Sequence, residues 1–273
     1  MKLLLSFALS LSLSAANLCG ANLGGLNIHS TTTGKGPSTV ILVHGWTCDE
    51  TTWTEQVPAL AKLYRVVTLD LPGHGKSDSP KDGKFSMDLF ARAIEAVRGE
   101  VDADHVVLVG HSMGTPVVLR YARLYPQHTA ALVFVDGLMP TAGAAPNAGM
   151  GAIMGGPTGR ATRQGMIRGF FSAATTPAVQ TKILDMMLGA PEATAVGAMN
   201  ASFEAAGQTP DTLKVPVFGL YAQPSQISNR EGVLAHFPDA EFAQIQGTGH
   251  FLMLEKPEEF NRLLLAFLAK QKF

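Results

Sequence analysis

Short apolar runs recur along this chain. They read STVILVHG, YRVVTLDLPG, HVVLVGHS, AALVFVDG, VPVFGLYA and AEFAQIQG. Continuous apolar runs of this length are typical of strands that are buried on both faces, as in a parallel sheet. Helical periodicity lies between them, over residues 53–63, 87–97, 115–124 and 258–269. The alternation predicts an α/β fold with a mostly parallel central sheet and helices on both of its faces.

The alternation stops between Leu138 and about Leu213, where Gly, Ala, Met, Thr and Pro dominate and no strand pattern is found. We expect a helical cap over residues 138–213, inserted into a core made of residues 22–137 and 214–273. Seven of the eleven methionines fall in this insertion. They indicate either a small helical subdomain with a soft core or a cap that lines an apolar substrate pocket, because thioether side chains fill irregular spaces. For the pocket we single out Met150, Met154 and Met166.

The first 21 residues are typical of an export signal. One Lys precedes an apolar stretch of Leu, Phe and Ala, and small residues follow where a signal peptidase could cut, after Ala16 or after Ala21. A buried N-terminal helix is the alternative. We therefore expect an exported protein, periplasmic or extracellular. The remaining sequence has no stretch typical of a membrane-spanning helix, so we expect no stable membrane insertion.

Composition narrows the classes of partner and cofactor. The chain has 273 residues, 46% of them hydrophobic, and a formal net charge of -1. It has no run of Lys or Arg, which argues against a nucleic-acid partner. Two cysteines cannot form a disulfide framework, and Cys48 is left as a single thiol if Cys19 is removed with the signal. No His, Cys or carboxylate residues are found at the spacing of metal ligands on one helix face. We expect no metal and no cofactor.

The phrase GHSMG, residues 110–114, supplies a candidate nucleophile. It fits G-x-S-x-G, with a predicted strand before it and a predicted helix after it. In this setting a sharp turn exposes the serine hydroxyl above the sheet, and the glycines let the backbone pass without a clash. A hydroxyl needs a neighbouring base to become a good nucleophile. We assign Ser112 as the nucleophile.

A late histidine is the candidate base. His250 lies in the Gly-rich phrase GTGHF between the last predicted strand and the last predicted helix. The other seven histidines, at positions 29, 44, 74, 105, 111, 128 and 236, lie in turns or outside any recognisable site. Only the C-terminal loop could fold back over a nucleophile in the middle of the chain.

These phrases together resemble the α/β-hydrolase family over nearly all of the chain after the signal. VHGW is similar to the family's oxyanion loop, LDLPGHGKSD to its turn after the next strand, GHSMG to its nucleophile elbow and GTGHFLMLEKPEEF to its histidine loop. The resemblance implies that the backbone N–H groups of Trp46 and Met113 stabilise the oxyanion. It also implies that His44, which we assign to the substrate pocket, supports the oxyanion loop rather than reacting.

The candidate acid departs from the family pattern. The strand after the cap, KVPVFGLYAQPSQISNR, holds no carboxylate where the family usually has its Asp. Some family members carry the acid one strand earlier, where this chain has Asp136 in ALVFVDG. A buried acid there could orient the imidazole, and the alternative is that this Asp only caps a turn. We assign Asp136 as the acid, with Asp211 and Glu231 as weaker alternatives.

The resemblance and the residues imply a serine hydrolase that cleaves a small-molecule carboxylic ester through a covalent acyl-enzyme. The same residues would also suit a lactone, amide or carbon–carbon bond hydrolase, or an acyltransferase. A protein that binds a hydrophobic small molecule and has a slow triad belongs to a different class. The fold alone does not separate these functions.

Overall fold

The computed structural model describes residues 17–137, 139, 149–203, 213–225, 227 and 230–273, with the backbone alone for residues 17–19. Within them, one sheet contains the strands β1 (Asn17–Leu23), β2 (Leu26–Thr33), β3 (Thr39–Val43), β4 (Arg65–Leu69), β5 (Val106–His111), β6 (Thr129–Val135), β7 (Val217–Gln223) and β8 (Glu241–Gln246). Their order is β1-β2-β4-β3-β5-β6-β7-β8. β3 to β8 are parallel, and β2 is antiparallel to both of its neighbours. The predicted mostly parallel sheet is confirmed.

Each of the six apolar runs contains one of the strands β3 to β8, except for one terminal residue of β6 and one of β7. All residues of β3 and β5 are buried, because these strands lie at the centre of the sheet with helices on both faces. β8 lies at the edge, and most of its side chains are partly or fully exposed. The apolar content of a run therefore follows the position of its strand across the sheet.

The sequence pattern did not predict the hairpin of β1 and β2. Only two of the eight side chains of β2 are buried, so the strand has no continuous apolar run. β1 includes residues 17–21, which the sequence assigned to the export signal. Residues 1–16 lie outside the described residues, and the signal stays a prediction. Cleavage after Ala16 would leave β1 whole, whereas cleavage after Ala21 would remove most of it.

The described helices are α1 (Val57–Leu60), α2 (Met87–Glu100), α3 (Gly114–Leu124), α4 (Gly159–Gly169), α5 (Pro177–Gly189), α6 (Glu192–Ser202), α7 (Arg230–His236), α8 (Leu252–Glu255) and α9 (Pro257–Leu268). α2, α3 and α9 confirm three of the predicted helices. In the described ranges, none of the helices combines the length and apolar character needed to cross a membrane.

The continuous helix predicted over residues 53–63 is wrong. A 3-10 turn at Glu50–Trp53 is followed by the single helical turn α1. Pro58 has no N–H group to continue a hydrogen-bonded ladder from the preceding turn. Gln56 is buried between the two pieces, and its side-chain amide donates to the Met253 carbonyl at 2.9 Å. This segment therefore packs as two short turns against the C-terminal part of the chain.

The helices α4, α5 and α6 follow β6 and precede β7, within the predicted cap. Residues 138, 140–148 and 204–212 lie outside the described part of the chain, so the cap boundaries stay a prediction. In the core, β3 lies between β4 and β5, and the chain changes direction across the sheet at this strand. Ligands of open α/β sheets bind beyond the carboxyl ends of the strands at such a point.

His74, in the loop after β4, is a buried histidine of the core. Its ring packs against those of His44 and Phe90, at centroid distances of 5.0 and 6.0 Å. Burial, with a smaller contribution from the nearby His44, lowers the pKa of His74 to about 3. The side chain is therefore neutral in the folded protein across the range in which an exposed histidine gains a proton.

This burial predicts a loss of stability in mild acid. Between pH 7 and pH 5 the unfolded chain protonates His74, with its usual pKa of about 6.5, while the folded chain does not, which costs the fold about 2 kcal/mol at pH 5. In His74→Phe, the free energy of unfolding in urea should depend on pH less steeply by about that amount. The exposed His105 offers the control His105→Gln, which should keep the wild-type slope. Equal slopes in all three proteins would refute the assignment.

Candidate active site

Ser112 lies in the tight turn between β5 and α3, at the carboxyl edge of the sheet. Its φ of +54° is a left-handed conformation that a residue other than glycine adopts only when its surroundings impose it. A Cβ at Gly110 would lie 2.3 Å from the Gly114 carbonyl oxygen, and a Cβ at Gly114 would lie 2.6 Å from that of Val43. The turn requires glycine at both positions. It brings Ser112 to the wall of a cavity that is lined by core residues and by residues of the segment between β6 and β7.

His250 and Asp136 form a buried hydrogen-bonded pair. The distance from Nδ1 of His250 to Oδ2 of Asp136 is 2.8 Å, and both side chains are at most 4% exposed. The other carboxylate oxygen, Oδ1, accepts from the Ser225 hydroxyl at 2.7 Å and from the Ala222 N–H at 3.2 Å. A carboxylate accepts hydrogen bonds, so the His250 proton lies on Nδ1. The basic Nε2 of the ring is then available for a proton from a nucleophile.

The loop of His250 is held from two sides. The His250 backbone N–H donates to the Phe170 carbonyl at 3.0 Å, and the His250 carbonyl accepts from Nε2 of His111 at 2.9 Å. The His250 ring packs against the rings of His111 and Phe170, at centroid distances of 4.6 Å to each. Phe170 directly follows α4, so the cap contributes to the position of this imidazole.

His111 is a supporting residue that the sequence reading missed. It is fully buried, and its burial, with the nearby His250, lowers its pKa well below the usual value. The neutral ring donates from Nε2, so Nδ1 is an acceptor, and no partner for Nδ1 is found among the described residues. Its place immediately before Ser112 in GHSMG was the signal. A position next to the nucleophile indicates a role in the site, whereas the neighbouring Gly110 had suggested only a turn.

The loop after β3 contains one backbone N–H group, that of Trp46, whose direction is set by the preceding peptide. The Gly45 carbonyl accepts from Nδ1 of His44 at 2.8 Å and from the Cys48 N–H at 3.2 Å. In a trans peptide the C=O and the following N–H point in opposite directions, so the Trp46 N–H points away from His44. No acceptor for it is found within the described ranges. Trp46 also lines the cavity.

The same geometry applies to Met113. The Ser112 carbonyl accepts from the Thr115 N–H at 3.0 Å, inside the first turn of α3. The Met113 N–H, on the opposite side of that peptide, has no acceptor in the described parts of the chain. Met113 lines the same cavity as Ser112 and Trp46. Two N–H groups on adjacent loops are thus available for an anionic oxygen.

A cavity of about 290 Å³ contains these groups. Ser112 and His250 both line it, with apolar side chains from the core and the cap. Five of the lining residues are methionines, namely Met113, Met150, Met166, Met187 and Met199. No Lys, Arg, Asp or Glu is found among its described lining residues. Burial raises the pKa of the Cys48 thiol in the wall to about 12, which keeps it protonated and a poor nucleophile.

The structure separates two predicted pocket residues from this cavity. Met154 is buried inside the cap, where its carbonyl accepts from the Arg163 guanidinium at 2.6 Å. His44 is fully buried under the oxyanion loop, where Nε2 accepts from the Leu71 N–H at 3.0 Å. Neither lines the cavity. The prediction that they line the pocket is therefore wrong for both, because each side chain is used in packing behind the wall.

A second cavity, of about 300 Å³, lies against the first. The two share Phe170, Ile227 and His250. Hydroxyl side chains give the second cavity a more polar wall, through Ser172, Ser225 and Thr248. Glu255 fixes this side of the cap, because its carboxylate accepts from the hydroxyls of Ser172 and Thr175 at 2.8 Å each and from the Gly249 N–H at 2.6 Å.

One other group of side chains has metal-ligating atoms close together. Such atoms of His29, Glu50 and Asp70 lie within 4.8 Å of one another. The ammonium of Lys76 lies 3.1 Å from Oε1 of Glu50, and both Asp70 oxygens accept backbone N–H groups, from Glu50 and Lys76. Through these contacts the three side chains link β2 to the loops that follow β3 and β4. A cation would compete with the ammonium of Lys76.

A family model described as the alpha/beta hydrolase fold matches residues 38–189, more than half of the chain. The chain belongs to the α/β-hydrolase fold family. The match includes Ser112 and Asp136, and His250 lies beyond it. Several solved structures share the fold. A thermophilic esterase from Thermogutta terrifontis superimposes with a TM-score of 0.81 and 26% identity, over 93% of this chain and 98% of the esterase.

Relatives of this member of the α/β-hydrolase fold family include proteins whose names describe reactions other than that of an esterase. A 2-hydroxy-6-oxononadienedioate/2-hydroxy-6-oxononatrienedioate hydrolase from Paraburkholderia phymatum is 29% identical over 270 residues, which are 90% of this chain and 92% of the relative. A dihydrolipoyllysine-residue acetyltransferase component of the acetoin cleaving system from Pseudomonas putida is 29% identical over 259 residues, 87% of this chain. The match spans 65% of that component. The names of these relatives describe different reactions, so the comparisons place the chain in the family without assigning its reaction.

The α/β-hydrolase fold brings most of the predicted site residues to one place. Ser112, Trp46 and Met113 line a single cavity with His250, and Asp136 is bonded to His250. Of the alternative acids, Glu231 is exposed on α7, and Asp211 lies outside the described residues. The sequence reading did not single out Phe170 or Ser225. Their contacts are made by a backbone carbonyl and by one hydroxyl, for which no local sequence pattern exists.

Proposed function

We propose that this protein is a serine hydrolase that cleaves a neutral carboxylic ester through a covalent acyl-enzyme. The observation that carries the proposal is the 2.8 Å bond between His250 and Asp136, with His250 and Ser112 on one cavity wall. The pair supplies a base of defined tautomer, and the elbow supplies the hydroxyl. This arrangement is what nucleophilic acyl transfer requires.

The proposed reaction has two halves. Nε2 of His250 takes the proton of Ser112 as its oxygen attacks the ester carbonyl. The N–H groups of Trp46 and Met113 stabilise the oxyanion, and His250 then gives the proton to the leaving alcohol. Water, activated by His250, releases the acid in the second half. Asp136 stabilises the imidazolium that forms in both halves and remains ionised.

The cavity supports an uncharged and apolar acyl part. Its described wall has no Lys or Arg that could pair with a carboxylate, and an unpaired charge in an apolar pocket is costly. The Paraburkholderia relative is named for a dioate, which carries two carboxylates. This difference favours an ester over a dioate substrate. A lactone, an amide or an acyl acceptor other than water would use the same residues and belongs among the tested substrates.

The first test concerns the nucleophile. Ser112→Ala should lower turnover of a p-nitrophenyl ester by at least ~10⁴-fold, and a fluorophosphonate should label the wild type at Ser112. Ser202 gives a matched control, because it also lines the cavity but its hydroxyl donates to the Ala198 carbonyl. Ser202→Ala should keep both turnover and labelling. Labelling at Ser202 or Cys48, or no labelling at all, would contradict the proposal.

A second test concerns the acid. Asp136→Asn should favour the wrong tautomer of His250 and lower kcat by about 10³- to 10⁴-fold with little change in KM. Glu231→Gln, at an exposed position, should stay within about twofold of wild type, and Asp211→Asn should cost far less than Asp136→Asn. Steady-state kinetics on one ester measure all three. If Asp136→Asn stays within about tenfold of wild type, Asp136 is not the acid.

A third test concerns the methionine wall. Met150→Ala and Met166→Ala enlarge the cavity and should raise the ratio of kcat/KM for an octanoate ester over a butyrate ester by about tenfold. Met154→Ala removes an equal side chain behind the wall and should lower the melting temperature without changing that ratio. A panel of p-nitrophenyl esters provides the measurement. Equal ratios in all variants would mean that the acyl chain does not occupy this cavity.

A further inference from the structure

The cap is bonded directly to the oxyanion loop through the side chain of Trp46. The indole N–H donates to the Ala195 carbonyl of α6 at 2.8 Å, and both residues are buried. A second bond joins the same helix to the core, from the Thr194 hydroxyl to the Gly73 carbonyl, also at 2.8 Å. α6 packs closely there, since a Cβ at Gly197 would lie 2.1 Å from the Phe85 ring.

The position of Trp46 joins two parts of the site that have different tasks. Trp46 lines the cavity, its backbone N–H has no acceptor among the described residues, and its indole is bonded to α6. One turn further along α6, Met199 lines the same cavity. An acyl chain against Met199 therefore presses on the helix that holds the indole. The next residue, Thr47, has a φ of +54°, a strained conformation that persists only when neighbouring contacts impose it.

We propose that the Trp46 indole is a positioning residue that couples the cap to the oxyanion hole, so that apolar contacts of the acyl chain are used to aim the Trp46 backbone N–H. This inference rests on the proposed function. Binding energy from a remote part of the substrate then raises kcat instead of lowering KM. Long acyl chains gain from the coupling, and an acetyl group, too short to reach α6, does not.

Trp46→Phe tests the coupling, because it keeps an aromatic ring and removes the N–H. We expect kcat for an octanoate ester to fall about tenfold, with KM little changed, and kcat for an acetate ester to stay within about threefold. The affinity of an octyl trifluoromethyl ketone, which forms a tetrahedral adduct with a nucleophilic serine, should fall in proportion to kcat/KM. A change in KM alone, or an equal loss of kcat on both esters, would overturn the proposal.

Thr194→Val is the matched control. It removes the other hydrogen bond between α6 and the core and leaves the oxyanion loop intact. We expect its kcat to stay within about threefold of wild type on both esters. If Thr194→Val reproduces the chain-length profile of Trp46→Phe, general loosening of the cap explains the effect and the proposal fails.

Amide hydrogen exchange gives a readout that does not need turnover. Exchange in residues 45–48 should be faster in Trp46→Phe than in wild type or Thr194→Val, and equal rates in all three would overturn the coupling. If Trp46→Phe does not fold, benzothienylalanine at position 46 replaces the N–H with sulfur at nearly the same shape, and the same measurements apply. An unlabelled wild type without ester turnover would refute the proposed function. An active wild type with an unaltered Trp46→Phe variant would refute only the coupling.

Discussion

The hydrogen bond between His250 and Asp136 is the contact on which the site depends, because it joins residues that are 114 positions apart in the chain. It exists because β6 and β7 are neighbours in the sheet. Asp136 follows β6, and the Ala222 N–H and Ser225 hydroxyl that hold its second oxygen belong to β7 and the loop after it. The sheet fixes the acid, and the acid fixes the tautomer and direction of the imidazole.

Backbone conformation completes this arrangement. Ser112, Asp136 and Thr47 each follow a core strand and each have a positive φ without being glycine. Such conformations cost about 1–3 kcal/mol each and cluster at functional sites. Here the cost is offset by a core in which β3 and β5 are fully buried. The sheet thus supports three strained residues, of which Ser112 lines the cavity, Asp136 holds His250 and Thr47 follows Trp46.

The sequence predicted those parts of the structure that depend on local pattern. Apolar runs identified β3 to β8, and the glycines around Ser112 identified the elbow, because both features are set by neighbours in the chain. Pro58 argues against a continuous helix over residues 53–63, but the helical periodicity of this segment led to the wrong prediction. The hairpin of β1 and β2 has too few buried positions to give a run.

Features that depend on packing between distant segments could not be predicted in this way. Methionine content predicted an adaptable cap, but it could not separate Met150, which lines the cavity, from Met154, which is buried behind the cavity wall. His111 resembled an ordinary turn residue until its Nε2 was found on the His250 carbonyl. The choice of Asp136 over Glu231 came from a resemblance, and the geometry of the pair is what now supports it.

The methionine wall has a chemical consequence of its own. Thioethers are oxidised to sulfoxides, which replace a flexible apolar group with a polar and chiral one. Because five methionines line one cavity, an oxidant that enters it would alter the wall at several points while the sheet remained folded. Such damage would be graded rather than all-or-none, since each sulfoxide adds one polar atom. Sulfoxide reductases could reverse it, so that the redox state of the surroundings would adjust which molecules the cavity accepts.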